Sequence, residues 1–119
     1  MKIILIDDDE VTAHSIAYYL RKKEYEVITY FDASEGLKAI TTEKPDLVIT
    51  DMMMPHVTGF DIIKRAKGDA EDSVMVFLVT GFDQPELVKM ALDMGADDFA
   101  IKPINLSELT LRIQRLERL

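Results

Sequence analysis

The constraint that most narrows the fold of this chain is an alternation. Five short runs rich in β-branched residues recur: KIILI (2–6), EVITY (26–30), DLVIT (46–50), SVMVFLV (73–79) and DDFAI (97–101). Between them apolar residues return at three- and four-residue steps, the period of a helix with one buried face. Ala13, Ile16, Ala17 and Leu20 do so within 10–23. Leu87, Val88, Ala91, Leu92 and Met94 follow within 84–94, and Leu106, Leu109, Ile113 and Leu116 within 106–119. Asp32 with Glu35, Asp83 with Glu86, and Asn105 with Glu108 each put an acceptor at a helix start and an acid three residues on. Gly95 supplies a helix stop. The runs at 3–6 and 74–79 are apolar on both faces, so helices must cover both sides of the sheet they form. The expectation is an α/β fold: a doubly wound, five-stranded parallel sheet in the order 2-1-3-4-5.

The totals fit one domain over 1–119. The chain is 48% hydrophobic, enough for a core without covalent staples. It has no cysteine, which excludes disulfides and thiolate metal sites. Its two histidines, His14 and His56, are too few for an ordinary zinc site. A net charge of −8 argues against a nucleic-acid surface on this domain. No apolar run approaches the roughly 20 residues that cross a bilayer, and MKIILID is too short for a signal peptide. A cytoplasmic protein without membrane attachment is expected. A domain cut from a longer protein is the alternative.

Parallel strands all end on one edge of their sheet, and ligands bind there near the reversal of strand order. The residues at those exits are chemically pointed. Strand 1 runs into Asp7, Asp8 and Asp9, strand 3 into Asp51, strand 4 into Thr80 and Gly81, and strand 5 into Lys102 and Pro103. A lone aspartate at a strand end is commonly a turn or cap residue, and Asp9 reads that way. The set reads differently. Crowded carboxylates raise one another's pKa unless a cation joins them. A hard divalent ion suits such oxygen ligands, and magnesium keeps several waters when bound this way. Lys102 adds a fixed positive charge and Thr80 a hydroxyl donor. An aspartate nucleophile, a metal and a lysine make a site for phosphoryl transfer by positioning and charge neutralisation.

These residues resemble the receiver domain of bacterial two-component response regulators. The resemblance spans the chain and rests on ILIDDDE, PDLVITDMMMPHVTGFD, VTG and IKP together. It implies a flavodoxin-like fold and a phosphorylation-dependent switch. Asp51 would be the phosphoacceptor, fed by the phosphohistidine of a histidine kinase or a phosphotransfer protein. Asp7, Asp8, Asp51 and the backbone carbonyl of Met53 would hold Mg²⁺, with Mn²⁺ as a substitute. Lys102 would contact the acyl phosphate, and the bond to Pro103 would be cis. Thr80 and Phe99 would be the switch pair. The changed surface of helix 4, strand 5 and helix 5 would address an output domain or effector. A homodimer through that face, using Asp97, Asp98 and Arg112, is a further expectation. The resemblance implies no separate substrate: the chemistry is self-catalysed phosphotransfer to Asp51 and its dephosphorylation.

Some residues depart from the family pattern. Gly81 stands where alanine is common, which implies a more mobile loop. Met53 and Phe82 are apolar at positions flanking the phosphoryl group, and would slow hydrolysis by limiting water. MMM (52–54) reads as turn and core packing, and His14 and His56 as exposed. Two other classes are disfavoured. A phosphatase of the haloacid-dehalogenase type wants a second aspartate where Met53 stands. A flavin-mononucleotide module wants a phosphate loop where DDDE would repel the anion.

Overall fold

In a computed structural model describing residues 1–68, 74–81 and 84–119, the alternation resolves into five strands and five helices. Their order is β1 (Lys2–Ile6), α1 (Glu10–Lys22), β2 (Glu26–Tyr30), α2 (Ala33–Glu43), β3 (Leu47–Asp51), α3 (Gly59–Lys67), β4 (Met75–Thr80), α4 (Pro85–Asp93), β5 (Asp98–Ile101) and α5 (Leu106–Glu117). The strands form one parallel sheet in the order β2-β1-β3-β4-β5. The chain therefore leaves β1 toward one edge and returns at β3 on its other side, which puts the topological switch between β1 and β3.

Strand periodicity divides the core in two. Ile4, Ile6, Val48, Val76 and Leu78 face a layer built from α2, α3 and α4. Their neighbours Ile3, Leu5, Leu47, Ile49, Phe77 and Val79 face a layer built from α1 and α5. Successive strand side chains point to opposite faces, so strands clad on both sides must be apolar at every position. β3 is buried along its whole length. Glycine allows the closest approach between α2 and β1: a Cβ on Gly36 would lie 2.7 Å from Ile6 Cγ1.

Most helix starts follow the sequence. Asp9, Asp32 and Asn105 cap α1, α2 and α5 by accepting from backbone N–H groups of the first turn. α4 differs from the expectation. It starts at Pro85 with Gln84 in the N-cap position, making no cap hydrogen bond, and Asp83 lies outside the described residues. Its buried face is also narrower than the spacing suggested. Val88 and Ala91 are buried, whereas Leu92 and Met94 are exposed. The reciprocal capping box, Thr58 with Asp61 at the start of α3, was not singled out in the sequence. Gly95 ends α4 with φ of +118°, a conformation that side chains disfavour.

The strand limits shift by a residue or two. β3 runs one residue later than DLVIT, so that Asp51 is its last residue rather than the first beyond it. β4 extends to Thr80 and β5 begins at Asp98. Among the described residues no helix is long and apolar enough to cross a membrane.

Candidate functional site

The strand register carries the site. Asp7 follows β1 and its N–H donates to the Tyr30 carbonyl at the end of β2. Met52, following Asp51, donates to Val79, and Lys102, following β5, donates to Thr80. The sheet ladder thus continues one step past the strands and fixes Asp7, Asp51, Thr80 and Lys102 along one edge. Asp7 and Thr80 are each 1% exposed and Asp51 is 9% exposed, whereas Asp8 is exposed and Lys102 half-buried.

One carboxylate oxygen from each of Asp7, Asp8 and Asp51 lies within 4.8 Å of the other two. Lys102 Nζ donates to Asp51 Oδ2 at 2.8 Å and lies 3.8 Å from Asp7 Oδ2. The other Asp51 oxygen, Oδ1, accepts from the Met53 N–H at 3.3 Å. Asp7 Oδ1 accepts from the Asp9 N–H at 2.9 Å, so the Asp9 backbone orients the deepest carboxylate while its side chain caps α1.

Burial pushes the Asp7 carboxyl above its ordinary value. The charges of Asp51 and Asp8 add to this, against the opposing effects of the Asp9 N–H and Lys102. Burial works against the Lys102 ammonium, but the hydrogen bond and charge of Asp51, with Asp7 and Asp9 beyond, outweigh it and leave its pKa raised. One ammonium thus faces three acids. The excess negative charge and the all-oxygen donor set suit a hard divalent cation.

Thr80 Oγ1 donates to Gln84 Oε1 at 3.3 Å. Sequence reasoning had not singled out Gln84. The available signal was a glutamine, a weak capping residue, directly before the proline that opens α4. Phe99, on β5, is half-buried and packs against the α2–α3–α4 layer. The Lys102–Pro103 peptide bond is cis. Met53 is 52% exposed and its backbone bridges Thr58, while Met52 and Met54 are buried. Phe82 lies outside the described residues. His56 is exposed with φ of +68°. His14, also exposed, stacks edge-on against Phe31 with ring centroids 5.3 Å apart.

The acids expected at a dimer face are engaged within the chain. Asp98 is buried and receives Arg112 at 3.1 Å and Arg115 at 3.2 Å. Asp97 takes Lys67 Nζ at 2.9 Å and the Val76 N–H at 2.8 Å through the same oxygen.

A wound parallel sheet with an acid-and-lysine cluster at its switch point defines a class, and comparison with known proteins identifies it. The profile of the response regulator receiver domain matches residues 3–114, and the chain belongs to that family, a signalling module of two-component systems. The chain is 33% identical over 119 residues to the alkaline phosphatase synthesis transcriptional regulatory protein PhoP of Bacillus subtilis, covering 98% of this chain and 48% of that protein. It is 35% identical over 114 residues to a cyclic di-GMP phosphodiesterase of Thermotoga maritima, covering 95% of this chain and 30% of that protein. It spans about half the length of these curated relatives, or less. Among solved structures, a receiver domain protein of Clostridium thermocellum superposes with a TM-score of 0.88 at 31% identity, covering 96% of this chain and 91% of that one. The chemotaxis response regulator CheY4 of Vibrio cholerae gives 0.86 at 27% identity, covering 96% of each.

Proposed function

We propose that residues 1–119 act as a receiver unit in which Asp51 accepts a phosphoryl group from the phosphohistidine of a kinase or phosphotransfer protein. The carrying observation is the convergence of Asp7, Asp8 and Asp51 within 4.8 Å, with Lys102 Nζ 2.8 Å from Asp51. An Asp51 carboxylate oxygen attacks phosphorus. The P–N bond breaks, and its electron pair stays on the imidazole of the donor. Asp7, Asp8, Asp51 and the Met53 carbonyl are the residues that would hold Mg²⁺ or Mn²⁺, whose chemistry is to offset charge on the phosphoryl oxygens. Lys102, already beside Asp51, orients and neutralises one of those oxygens. Thr80 then turns its hydroxyl to another, and Phe99 moves into the space released. Water attack on the acyl phosphate later returns Asp51 and inorganic phosphate, and apolar Met53 slows that step. The altered face of α4, β5 and α5 passes the signal to an output domain or effector. Because Asp97 and Asp98 are satisfied internally, a homodimer on this face would have to use other contacts or repartner these charges.

The test is incubation with Mg²⁺ and acetyl phosphate, read by intact mass. Gain of one phosphoryl group is expected in the wild type, with none in Asp51→Asn and little in Lys102→Ala. Equal gain in Asp51→Asn, or after chelation, refutes the assignment.

A further inference from the structure

We infer that Gln84 is a latch that holds the switch hydroxyl in its resting position and thereby sets how readily the domain responds to phosphorylation. This rests on the reading of Asp51 as phosphoacceptor and of Thr80 as the hydroxyl that follows the phosphoryl group. Thr80 is 1% exposed, so its hydroxyl must find a partner inside the protein. Among the described residues that partner is Gln84 Oε1, at 3.3 Å. Gln84 occupies the N-cap position of α4, where serine, threonine, aspartate or asparagine would ordinarily satisfy the first-turn N–H groups. It makes no such hydrogen bond, and its side-chain oxygen instead serves Thr80.

The consequence follows from the two states. In the resting state Thr80 donates to Gln84. In the phosphorylated state it donates to a phosphoryl oxygen, and the bond to Gln84 must break. Gln84 therefore stabilises only the resting state, and such a contact shifts a two-state equilibrium by its full differential free energy. Its removal leaves a buried hydroxyl unsatisfied in the resting state alone. Gln84 also heads α4, so releasing Thr80 frees the first turn of a helix on the proposed output face. Gln84 is a positioning residue: it acts through Thr80.

The experiment measures affinity for beryllofluoride in excess Mg²⁺, comparing wild type with Gln84→Met, which keeps the side-chain length but removes the acceptor. A hydrogen bond of ordinary net strength predicts binding about two- to tenfold tighter in Gln84→Met. The same substitution in a Thr80→Val background should change nothing, because no hydroxyl remains to be held. In the free protein, the Thr80 methyl resonance of Gln84→Met should move toward its beryllofluoride-bound position, which a general loosening of α4 would not produce. Wild-type protein that binds beryllofluoride with an affinity unchanged by Gln84→Met refutes the latch alone. An equal effect of Gln84→Met with and without the Thr80 hydroxyl also refutes it. Failure of wild-type protein to bind beryllofluoride at all refutes the phosphoacceptor reading, and the latch with it.

Discussion

Replacing Asp7 by asparagine should make the metal-free protein more stable, although it alters the deepest carboxylate of the site. Asp7 is 1% exposed, and one of its oxygens lies within 4.8 Å of an oxygen of Asp8 and an oxygen of Asp51. At an effective dielectric of about 20 the Asp7–Asp51 pair repels by about 3.5 kcal/mol, and the Asp7–Asp8 pair by much less because Asp8 is exposed. Lys102 at 3.8 Å returns about 4.4 kcal/mol on the same scale. The two effects nearly cancel once solvent screens exposed Asp8, and burial of the Asp7 charge itself is the main penalty. The amide oxygen of asparagine can still accept the Asp9 N–H. A gain of roughly 1–3 kcal/mol is expected, read as a higher urea midpoint at pH 7 with chelator present. The sign follows from the raised pKa. A carboxyl whose folded value exceeds its ordinary 3.8 contributes stability below that value, and loses the contribution as pH rises through the folded value. The advantage of Asp7→Asn should therefore narrow as the pH falls toward 4. It should also narrow when Mg²⁺ is added, since the wild type gains RT ln(1 + [Mg²⁺]/Kd) and the variant binds the ion more weakly. Unchanged or lower stability of Asp7→Asn in chelator would refute the electrostatic account.

Four other outcomes are expected. Gly59→Ala should cost about 1–3 kcal/mol in thermal or urea unfolding, because the new Cβ meets Met52 Sδ at 2.8 Å and Met52 Cα at 3.1 Å. Gly81→Ala should instead stabilise by about 0.4–1 kcal/mol through the unfolded chain, since nothing lies within 4 Å of the added carbon. Tyr25 is buried, and its hydroxyl donates to Glu117 at 3.1 Å; burial first, then Glu117, raises its pKa above 10.0. Its contribution is complete below pH 10.0 and is lost as pH rises through the folded value, so Tyr25→Phe should flatten that alkaline loss in circular-dichroism titrations. Asp98→Ala should cost about 1–2 kcal/mol in chemical denaturation, because it removes the buried acceptor of the Phe99 N–H and the partner of Arg112 and Arg115, whose solvent-facing guanidinium groups then turn to water.

The architecture was legible because two periods alternate along the chain. The two-faced apolar strands at 3–6 and 74–79 could be satisfied only by helices on both sides, and the two core layers are the result. The gathering of Asp7, Asp8, Asp51, Thr80 and Lys102 was legible for a related reason: parallel strands end together, so residues remote in sequence meet once strand order is set. What escaped was local competition for hydrogen bonds. An acid at 83 looked like the start of α4, but Pro85 is already pre-organised for the first helical turn, and the helix begins there. Nothing in the spacing showed that the Gln84 side chain reaches back to Thr80. Nor could it show that Asp97 pairs with Lys67 and Asp98 with Arg112 and Arg115, because free and engaged acids look alike in a string of letters.

The division of the interior by the sheet has a mechanical consequence. Phe99 packs into the half containing α4, whereas Ala100, Ile104 and the inner side of α5 belong to the opposite half. The proposed rotation of Phe99 would therefore be absorbed on one side, with the strands acting as a partition. Under the proposed switch the surface spanning both helices would have one bank that shifts and one that stays, and a bound molecule would sense the offset between them.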